Sequence, residues 1–268
     1  MDKNVIDRSI EELREMDDLA SSISPIHSLG PGAKLLVTVV YIAVVASFHK
    51  YNLTGLLFMI FYPVLLFEIS RIPIGLCFRK MRLVLPLVCL AGLFNPFFDR
   101  IPVLTLGPVR VTSGMISMAT LMLKGIFCLM ASFLLIATTK IEGICQALRR
   151  IHVPSILVTL LLLTYRYIGL LAEEVSIMTQ AYSLRAPGQK GIHYKAWGSF
   201  LGQLLLRSMD RAEELYSSMQ LRGYRGDFYY MEGTGWGKRE TLYVLIWTGF
   251  FILARTLNLT RLAGGLFL

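Results

Sequence analysis

Long apolar stretches alternate with short polar segments along this chain. A helix needs roughly 20 mostly apolar residues to cross a bilayer core, and several stretches come close to that length. The candidates are 35–48, 53–69, 83–98, 114–137, 155–171 and 241–257. The pattern therefore predicts an all-α membrane protein, with about five transmembrane helices once one ambiguous stretch is set aside.

The ambiguous stretch is 155–171, which follows Pro154 and carries Arg166 in its second half. An arginine inside a bilayer costs a few kcal/mol unless it is paired. We therefore expect Arg166 to bind Glu173, Glu174 or a lipid headgroup. The same cost favours a helix that lies obliquely or against its neighbours over one that crosses, although the sequence leaves both arrangements open.

Positive charge is concentrated in the most apolar part of the chain and indicates its orientation. The 268 residues have a net charge of +9, and residues 35–171 alone carry 12 basic and 3 acidic side chains. The loops 70–82 and 138–153 hold seven of these cations, whereas 49–52 and 99–113 hold three. Basic loops stay in the cytoplasm, which places the loops 70–82 and 138–153 and the N-terminus there.

Because scattered loop cations differ from the dense basic face of nucleic-acid-binding proteins, we expect no nucleic-acid partner.

These spans and loops divide the chain into four segments. They are a cytoplasmic N-terminal segment (1–34), a four-helix transmembrane section (35–137), a cytoplasmic helical section (138–240) and a C-terminal transmembrane helix (241–268). If 155–171 crossed instead, residues 172–240 would lie outside the cell. Two β-branched runs surround Gly107-Pro108, which predicts a small external β-hairpin near 101–112.

Residues that carry enzyme or metal chemistry are not grouped in this sequence. Cys77, Cys89, Cys128 and Cys145 form no CxxC pair, and the four histidines are equally dispersed. No HExxH, GxSxG or phosphate-binding loop motif occurs. We therefore expect no catalytic residue, metal site or cofactor in this chain. A membrane enzyme is disfavoured on these grounds, and a secondary carrier would need inverted repeats that the sequence does not display.

Two long amphipathic helices are predicted in the segment 138–240. The first covers about 154–185 and stops at Ala186-Pro187-Gly188, and the second covers about 194–222 and stops at Gly223. Apolar residues recur every three or four positions in both helices. They are Ile168, Leu171, Val175, Met178 and Tyr182 in the first helix, and Trp197, Leu201, Leu204, Leu205, Ala212, Leu215 and Met219 in the second.

The ends of these two helices have similar sequences, Leu184-Arg185-Ala186 and Leu221-Arg222-Gly223. One interpretation is local, because a cation at a helix C-terminus gains about 0.3–1 kcal/mol from the helix dipole. The other is that each end docks into the same groove on a partner, where the arginine binds a carboxylate bidentately. Two similar ends then imply two copies of one partner.

The paired helix ends resemble those of the T components of energy-coupling factor (ECF) transporters, whose two coupling helices end in X-Arg-X motifs. The stretches 147–154 and 163–168 are similar to the family's sequence before its first motif. The segments 17–20 and 24–34 are similar to the N-terminus of its cobalt and nickel branch, CbiQ. That branch usually has Asp-Pro-Arg where this chain has Gly30-Pro31-Gly32.

The resemblance implies a multi-pass energy-coupling subunit in the cytoplasmic membrane of a prokaryote. In that family the T component joins two ATP-binding cassette ATPases (CbiO-like), which bind the ATP, to a substrate-capture membrane subunit (CbiM-like). A small accessory membrane subunit (CbiN-like) is an optional member of the complex. The substrate of the CbiQ branch is a cobalt or nickel ion, and the T component of a vitamin importer is the alternative.

Site residues follow from the same resemblance, position by position. The residues expected to dock the ATPases are Leu184, Arg185, Ala186, Leu221, Arg222 and Gly223. Those expected to contact the capture subunit are Leu201, Leu204, Leu205, Ala212, Leu215 and Met219. The second group could equally pack inside the chain, because an apolar stripe is also what a helix buries in its own core.

Overall fold

A computed structural model describes residues 3–22, 24–49, 53–82, 84–93, 102–106, 109–189, 191–226 and 237–256. Contacts between residues divide the chain into two units, one of 19–140 with 234–268 and one of 1–18 with 141–233. We call them the membrane unit and the arm unit, and each is described by itself. The four predicted segments differ in where they lie relative to the membrane, and the two units do not test that division.

The chain is predominantly helical, as expected of an all-α membrane protein. In chain order the helices and strands of the described residues are α1 (Lys3–Ala20), α2 (Pro31–Ser47), α3 (Leu53–Phe58), α4 (Phe61–Ser70), α5 (Ile74–Met81), α6 (Leu85–Leu93), β1 (Pro102–Leu106), β2 (Val109–Thr112), α7 (Ser113–Thr138), α8 (Ile141–Arg150), α9 (Ser155–Arg185), a 3-10 turn (Tyr194–Ala196), α10 (Trp197–Leu221) and α11 (Lys238–Thr256).

Two of the described helices are long and apolar enough to cross a membrane, namely Gly114–Thr138 in α7 and Ser155–Arg185 in α9. The helical segments 55–70 and α5 meet at a bend of 118°, and they add a third span if the two together cross the membrane as one broken helix. Helix α2 is apolar but shorter, and the predicted spans 83–98 and 241–257 extend beyond the described residues. The number of five spanning helices, and the side on which 155–171 lies, therefore stay predictions.

An aromatic cluster joins α2, α4 and α11 in the core of the membrane unit. The rings of Tyr41 and Tyr62 have centroids 4.6 Å apart, and the ring centroid of Phe251 lies 5.3 Å and 5.2 Å from theirs.

The predicted span 53–69 is interrupted between α3 and α4, because Pro63 lacks the N–H that would bond to the Met59 carbonyl. The Tyr41 hydroxyl donates to that carbonyl instead, over 3.0 Å. Satisfying the freed carbonyl makes the break tolerable inside an apolar core.

Helices α2 and α7 pack together, and each carries a lysine that caps the C-terminal end of the other. The Lys34 ammonium near the start of α2 donates to the Thr138 carbonyl over 2.7 Å. The Lys124 ammonium within α7 donates to the carbonyls of Ala46 and Phe48 at the end of α2. Both cations thus bind carbonyl groups that lack helical partners, where the helix dipole is negative.

Strands β1 and β2 pair in antiparallel fashion, with an irregularity between Pro102 and Leu104. The intervening residues 107–108 and the flanking residues 94–101 lie outside the described parts of the chain. The pair coincides with the hairpin predicted near 101–112, and its external position stays a prediction.

The arm unit consists of α1, α8, α9 and α10, and α9 packs against both α8 and α10. The Tyr165 hydroxyl of α9 donates to the Asp17 carboxylate over 2.7 Å, and Arg14 binds Glu173 over 3.4 Å. These contacts tie α1 to α9. The carboxylate of Glu173 therefore takes Arg14 as its partner and not Arg166, the residue expected from the sequence.

Candidate docking site

The first predicted docking end is the C-terminus of α9. The helix ends at Arg185, and the Ala186 N–H donates to the Tyr182 carbonyl over 3.0 Å to close the last turn. Gly188 then takes a φ of +94°, a conformation that glycine adopts without steric cost. The helix breaker identified in the sequence at 186–188 thus ends the helix directly after the arginine.

The second docking end is the C-terminus of α10, which a Schellman motif closes. Gly223 has a φ of +84°, and its N–H donates to the Gln220 carbonyl over 2.9 Å. The Tyr224 N–H donates to the Met219 carbonyl over 3.0 Å. The expectation that Gly223 terminates this helix is confirmed.

The two ends expose the same pair of side chains. Leu184 is 82% exposed and Leu221 is 90% exposed, and the adjacent Arg185 and Arg222 are exposed as well. Burying a leucine is worth about 1.5–3 kcal/mol relative to leaving it in water. A purely local role at the helix dipole accounts for the two arginines but gives no role to the exposed leucine beside each of them.

The loop after the first end is held by the hydroxyl of Tyr182. This hydroxyl donates to the Gln189 side-chain oxygen over 3.0 Å and accepts from the His193 N–H over 3.2 Å. The Lys195 N–H in turn donates to the His193 ring nitrogen over 3.3 Å. Sequence periodicity assigned Tyr182 to an apolar stripe, and the one signal for its polar role was a tyrosine placed just before a Pro-Gly break.

Helices α9 and α10 are joined by ion pairs at Glu174. Its carboxylate binds Arg207 and also Arg211, the latter over 3.6 Å. The Glu174 side chain is only 14% exposed, whereas the two arginines are 47% and 39% exposed. Like Glu173, Glu174 takes a partner other than Arg166, so that part of the prediction was wrong. This junction was missed because it depends on which helix faces meet.

The junction lies several helical turns before both docking ends. Arg185 follows Glu174 by 11 positions, and Arg222 follows Arg211 by 11 positions and Arg207 by 15. A helix rises about 1.5 Å per residue, so the arm of α9 is about 16 Å long and the arm of α10 is about 16–22 Å long. Each arm is an uninterrupted helix.

The apolar stripe predicted on α10 divides into an exposed part and a sheltered part. Phe200 on the inward side is buried, and Trp197 packs beside it with ring centroids 6.1 Å apart. Of the six stripe residues expected at the capture subunit, three are exposed (Leu201, Leu205 and Ala212) and three are partly buried (Leu204, Leu215 and Met219). The exposed three thus remain accessible for a contact outside the chain.

Metal-binding chemistry is not assembled in the parts of the chain that the structure describes. No group of three or more His, Cys, Asp or Glu side chains is close enough to hold an ion there. Burial raises the pKa of the Cys145 thiol, and the Glu142 carboxylate adds to the effect. Burial therefore favours the protonated form of the Cys145 thiol over the thiolate.

Fold and site together define a helical membrane protein that presents two matched helix ends. Residues 22–230 match the protein family CbiQ, described as "Cobalt transport protein". Because the match covers well over half of the chain, the chain belongs to this family. The resemblance to ECF T components of the CbiQ branch is thereby confirmed.

Individual relatives carry transport names. The chain is 30% identical to "Nickel permease LarQ" of Lactiplantibacillus plantarum over 37% of its length and 35% of the relative's, about a third of that protein. It is 25% identical to "Energy-coupling factor transporter transmembrane protein EcfT" of Listeria innocua over 90% of its length and 92% of the relative's. It is 33% identical to "Cobalt transport protein CbiQ" of Rhodobacter capsulatus over 35% and 38%, respectively.

Proposed function

We propose that this chain is the energy-coupling subunit of an ECF-type importer, a non-catalytic, multi-pass protein of a prokaryotic cytoplasmic membrane. It joins two ATP-binding cassette ATPases, which bind the ATP, to a substrate-capture membrane subunit. The observation that carries this proposal is the pair of exposed Leu-Arg ends on α9 and α10.

Each docking end supplies an apolar anchor and a bidentate donor. Leu184 or Leu221 enters an apolar pocket of an ATPase, while Arg185 or Arg222 binds a carboxylate at the rim. Arginine is enriched among the few residues that carry most of the energy of many protein interfaces, and the leucine adds buried apolar area. Because both ends have the same chemistry, both ATPases offer the same groove.

Movement passes through the arm unit as a displacement of stiff helices. When ATP closes the ATPase pair, Arg185 and Arg222 move with their helices, and the ion pairs at Glu174 keep the two arms joined. The exposed face formed by Leu201, Leu205 and Ala212 then shifts against the capture subunit. A rigid helix transmits such a displacement without a hinge of its own.

The cargo proposed for the complex is a cobalt or nickel ion. The family description names cobalt, and one relative is named a nickel permease. The capture subunit, and not this chain, holds the ion. A vitamin importer would contain a different capture subunit, so the identity of the membrane protein that co-purifies with this chain separates the two cargo classes.

The double variant Arg185→Glu/Arg222→Glu tests the docking role. We expect the tagged full-length chain to fold and insert in membranes but to lose its co-purifying ATPases, because each carboxylate then meets a carboxylate. Retained co-purification together with normal metal uptake would overturn the proposal.

A matched control reverses two other cations of the arm unit. The variant Lys195→Glu/Arg225→Glu changes the net charge by the same amount at exposed positions outside both motifs. It should keep its ATPases. Equal loss in both variants would mean that long-range charge, and not the two docking ends, attracts the ATPases.

A further inference from the structure

Helix α5 presents an apolar face that the membrane unit does not cover. Its inner side buries Cys77 and Met81. On another side Ile74 and Phe78, one helical turn apart, are 44% and 46% exposed. An exposed pair of large apolar side chains on so short a helix indicates contact with something other than water.

Basic residues surround this exposed pair. Arg71 precedes α5, Arg79 and Lys80 occupy its last turn, and Arg82 follows it; the three arginines are exposed. Glu68 is the one acidic residue between 53 and 98. The surface that combines Ile74 and Phe78 with these cations is therefore complementary to an anionic, partly apolar partner.

The backbone turns α5 away from the direction of α4. Arg71 takes a φ of +57° at the end of α4, and the two helical segments are bent by 118°. If α4 crosses the membrane, α5 runs closer to the plane of the bilayer than to its normal. A re-entrant path into the bilayer would instead place four cations in hydrocarbon, which is costly.

We infer that α5 lies in the membrane surface and binds anionic phospholipid headgroups. Ile74 and Phe78 enter the boundary between headgroups and acyl chains, and Arg71, Arg79 and Arg82 bind the phosphates. Basic amphipathic helices bind anionic bilayers in this way, and each added cation strengthens the attraction. Since 70–82 is predicted to be cytoplasmic, the lipids belong to the cytoplasmic leaflet. The inference does not depend on ATPase docking.

A tryptophan reporter tests the lipid contact directly. The full-length Phe78→Trp variant is placed in nanodiscs of phosphatidylcholine and phosphatidylglycerol, and one lipid at a time is brominated to quench nearby indoles. The signal of the parent chain, from its own three tryptophans, is subtracted. Brominated phosphatidylglycerol should quench the added tryptophan about threefold more strongly than brominated phosphatidylcholine at equal mole fraction. Equal quenching by the two lipids, or no quenching by either, would overturn the inference.

Charge removal identifies which residues give the preference. Adding Arg71→Gln/Arg79→Gln/Arg82→Gln to the reporter chain should abolish the preference for phosphatidylglycerol and leave ATPase co-purification intact. The matched triple Arg185→Gln/Arg222→Gln/Arg225→Gln should abolish ATPase co-purification and leave the preference for phosphatidylglycerol intact. If the α5 triple keeps the lipid preference but loses a membrane partner, this surface is a protein interface and the inference is wrong.

Discussion

The two docking ends share a motif but are closed by different backbone devices. At the end of α10, a glycine at φ +84° and two nested hydrogen bonds close the last turn within six residues. At the end of α9, the last turn is followed by a loop that is held by the Tyr182 hydroxyl. The common Leu-Arg pair is therefore not a by-product of one type of helix cap.

This difference separates what local chain geometry explains at each end from what it does not explain. Local chain geometry explains where each helix stops, and it does so differently in the two cases. The exposed leucine and the exposed arginine are alike at both ends. The proposed docking to one kind of partner gives a common reason for features that agree across two different local solutions.

Among substitutions outside the two arginines, replacing both leucines should produce the largest effect. The variant Leu184→Asp/Leu221→Asp removes the apolar anchors, and we expect ATPase affinity to fall about 100-fold or more, as for paired interface hot spots. Stability should change by less than about 0.5 kcal/mol, because both side chains are already exposed. Titration of the purified ATPase against the chain in nanodiscs measures the first quantity, and thermal unfolding measures the second.

A single exposed leucine outside the motifs provides the control for that experiment. Leu206→Asp, on the same helix and 59% exposed, should leave ATPase affinity unchanged. If the double leucine variant also binds normally, the local dipole interpretation of the two arginines is the correct one.

Gly223→Ala should weaken only the second end. An alanine at φ +84° costs about 1–2 kcal/mol, and no neighbouring atom lies within 4 Å of the new methyl group, so strain is the whole effect. Gly202→Ala in the interior of α10 also meets no atom within 4 Å and should instead stabilise the helix by about 0.5–1 kcal/mol. Opposite shifts in unfolding free energy support this account, and equal shifts contradict it.

Glu174→Gln should loosen the junction without weakening either end. The two ion pairs are partly exposed, so their loss should cost about 1 kcal/mol. We expect unchanged ATPase affinity and slower metal uptake per ATP hydrolysed, because the arms then move less as a pair. The width of the distance distribution between spin labels near residues 183 and 220 should increase, and an unchanged width would show that the junction does not join the arms.

Tyr182→Phe should give the most local effect, which is confined to the first end. It removes one hydroxyl that makes two hydrogen bonds, each worth about 0.5–1.5 kcal/mol. Amide hydrogen exchange should accelerate in residues 186–193 and stay constant at residues 222–226. Faster exchange at both ends would mean that the two closures are not independent.

Local patterns were sufficient to predict the two long helices. The predicted ranges of about 154–185 and 194–222 agree with α9 and with α10 plus its preceding 3-10 turn. Periodicity and helix breakers act over a few residues, so both can be recognised in a single sequence. The Leu-Arg ends were predictable for the same reason.

Features that depend on packing could not be predicted in this way. Arg166, Arg207 and Arg211 were all available as partners for Glu174, and only the meeting of helix faces selects the latter two. The break before Pro63 had a local signal, but its tolerance depends on the Tyr41 hydroxyl from another helix. The division of the α10 stripe into exposed and partly buried residues likewise depends on tertiary packing.

The central claim is that the two ends are equivalent docking elements for two copies of one partner. Its most direct test is the ATPase affinity of Arg185→Glu and Arg222→Glu, measured separately and together by titration against the full-length chain in nanodiscs. Each single reversal should weaken binding by a similar factor of about 30, equivalent to about 2 kcal/mol for an interface hot spot, and the double reversal should abolish it. A single reversal that binds as tightly as the unaltered chain would contradict the claim.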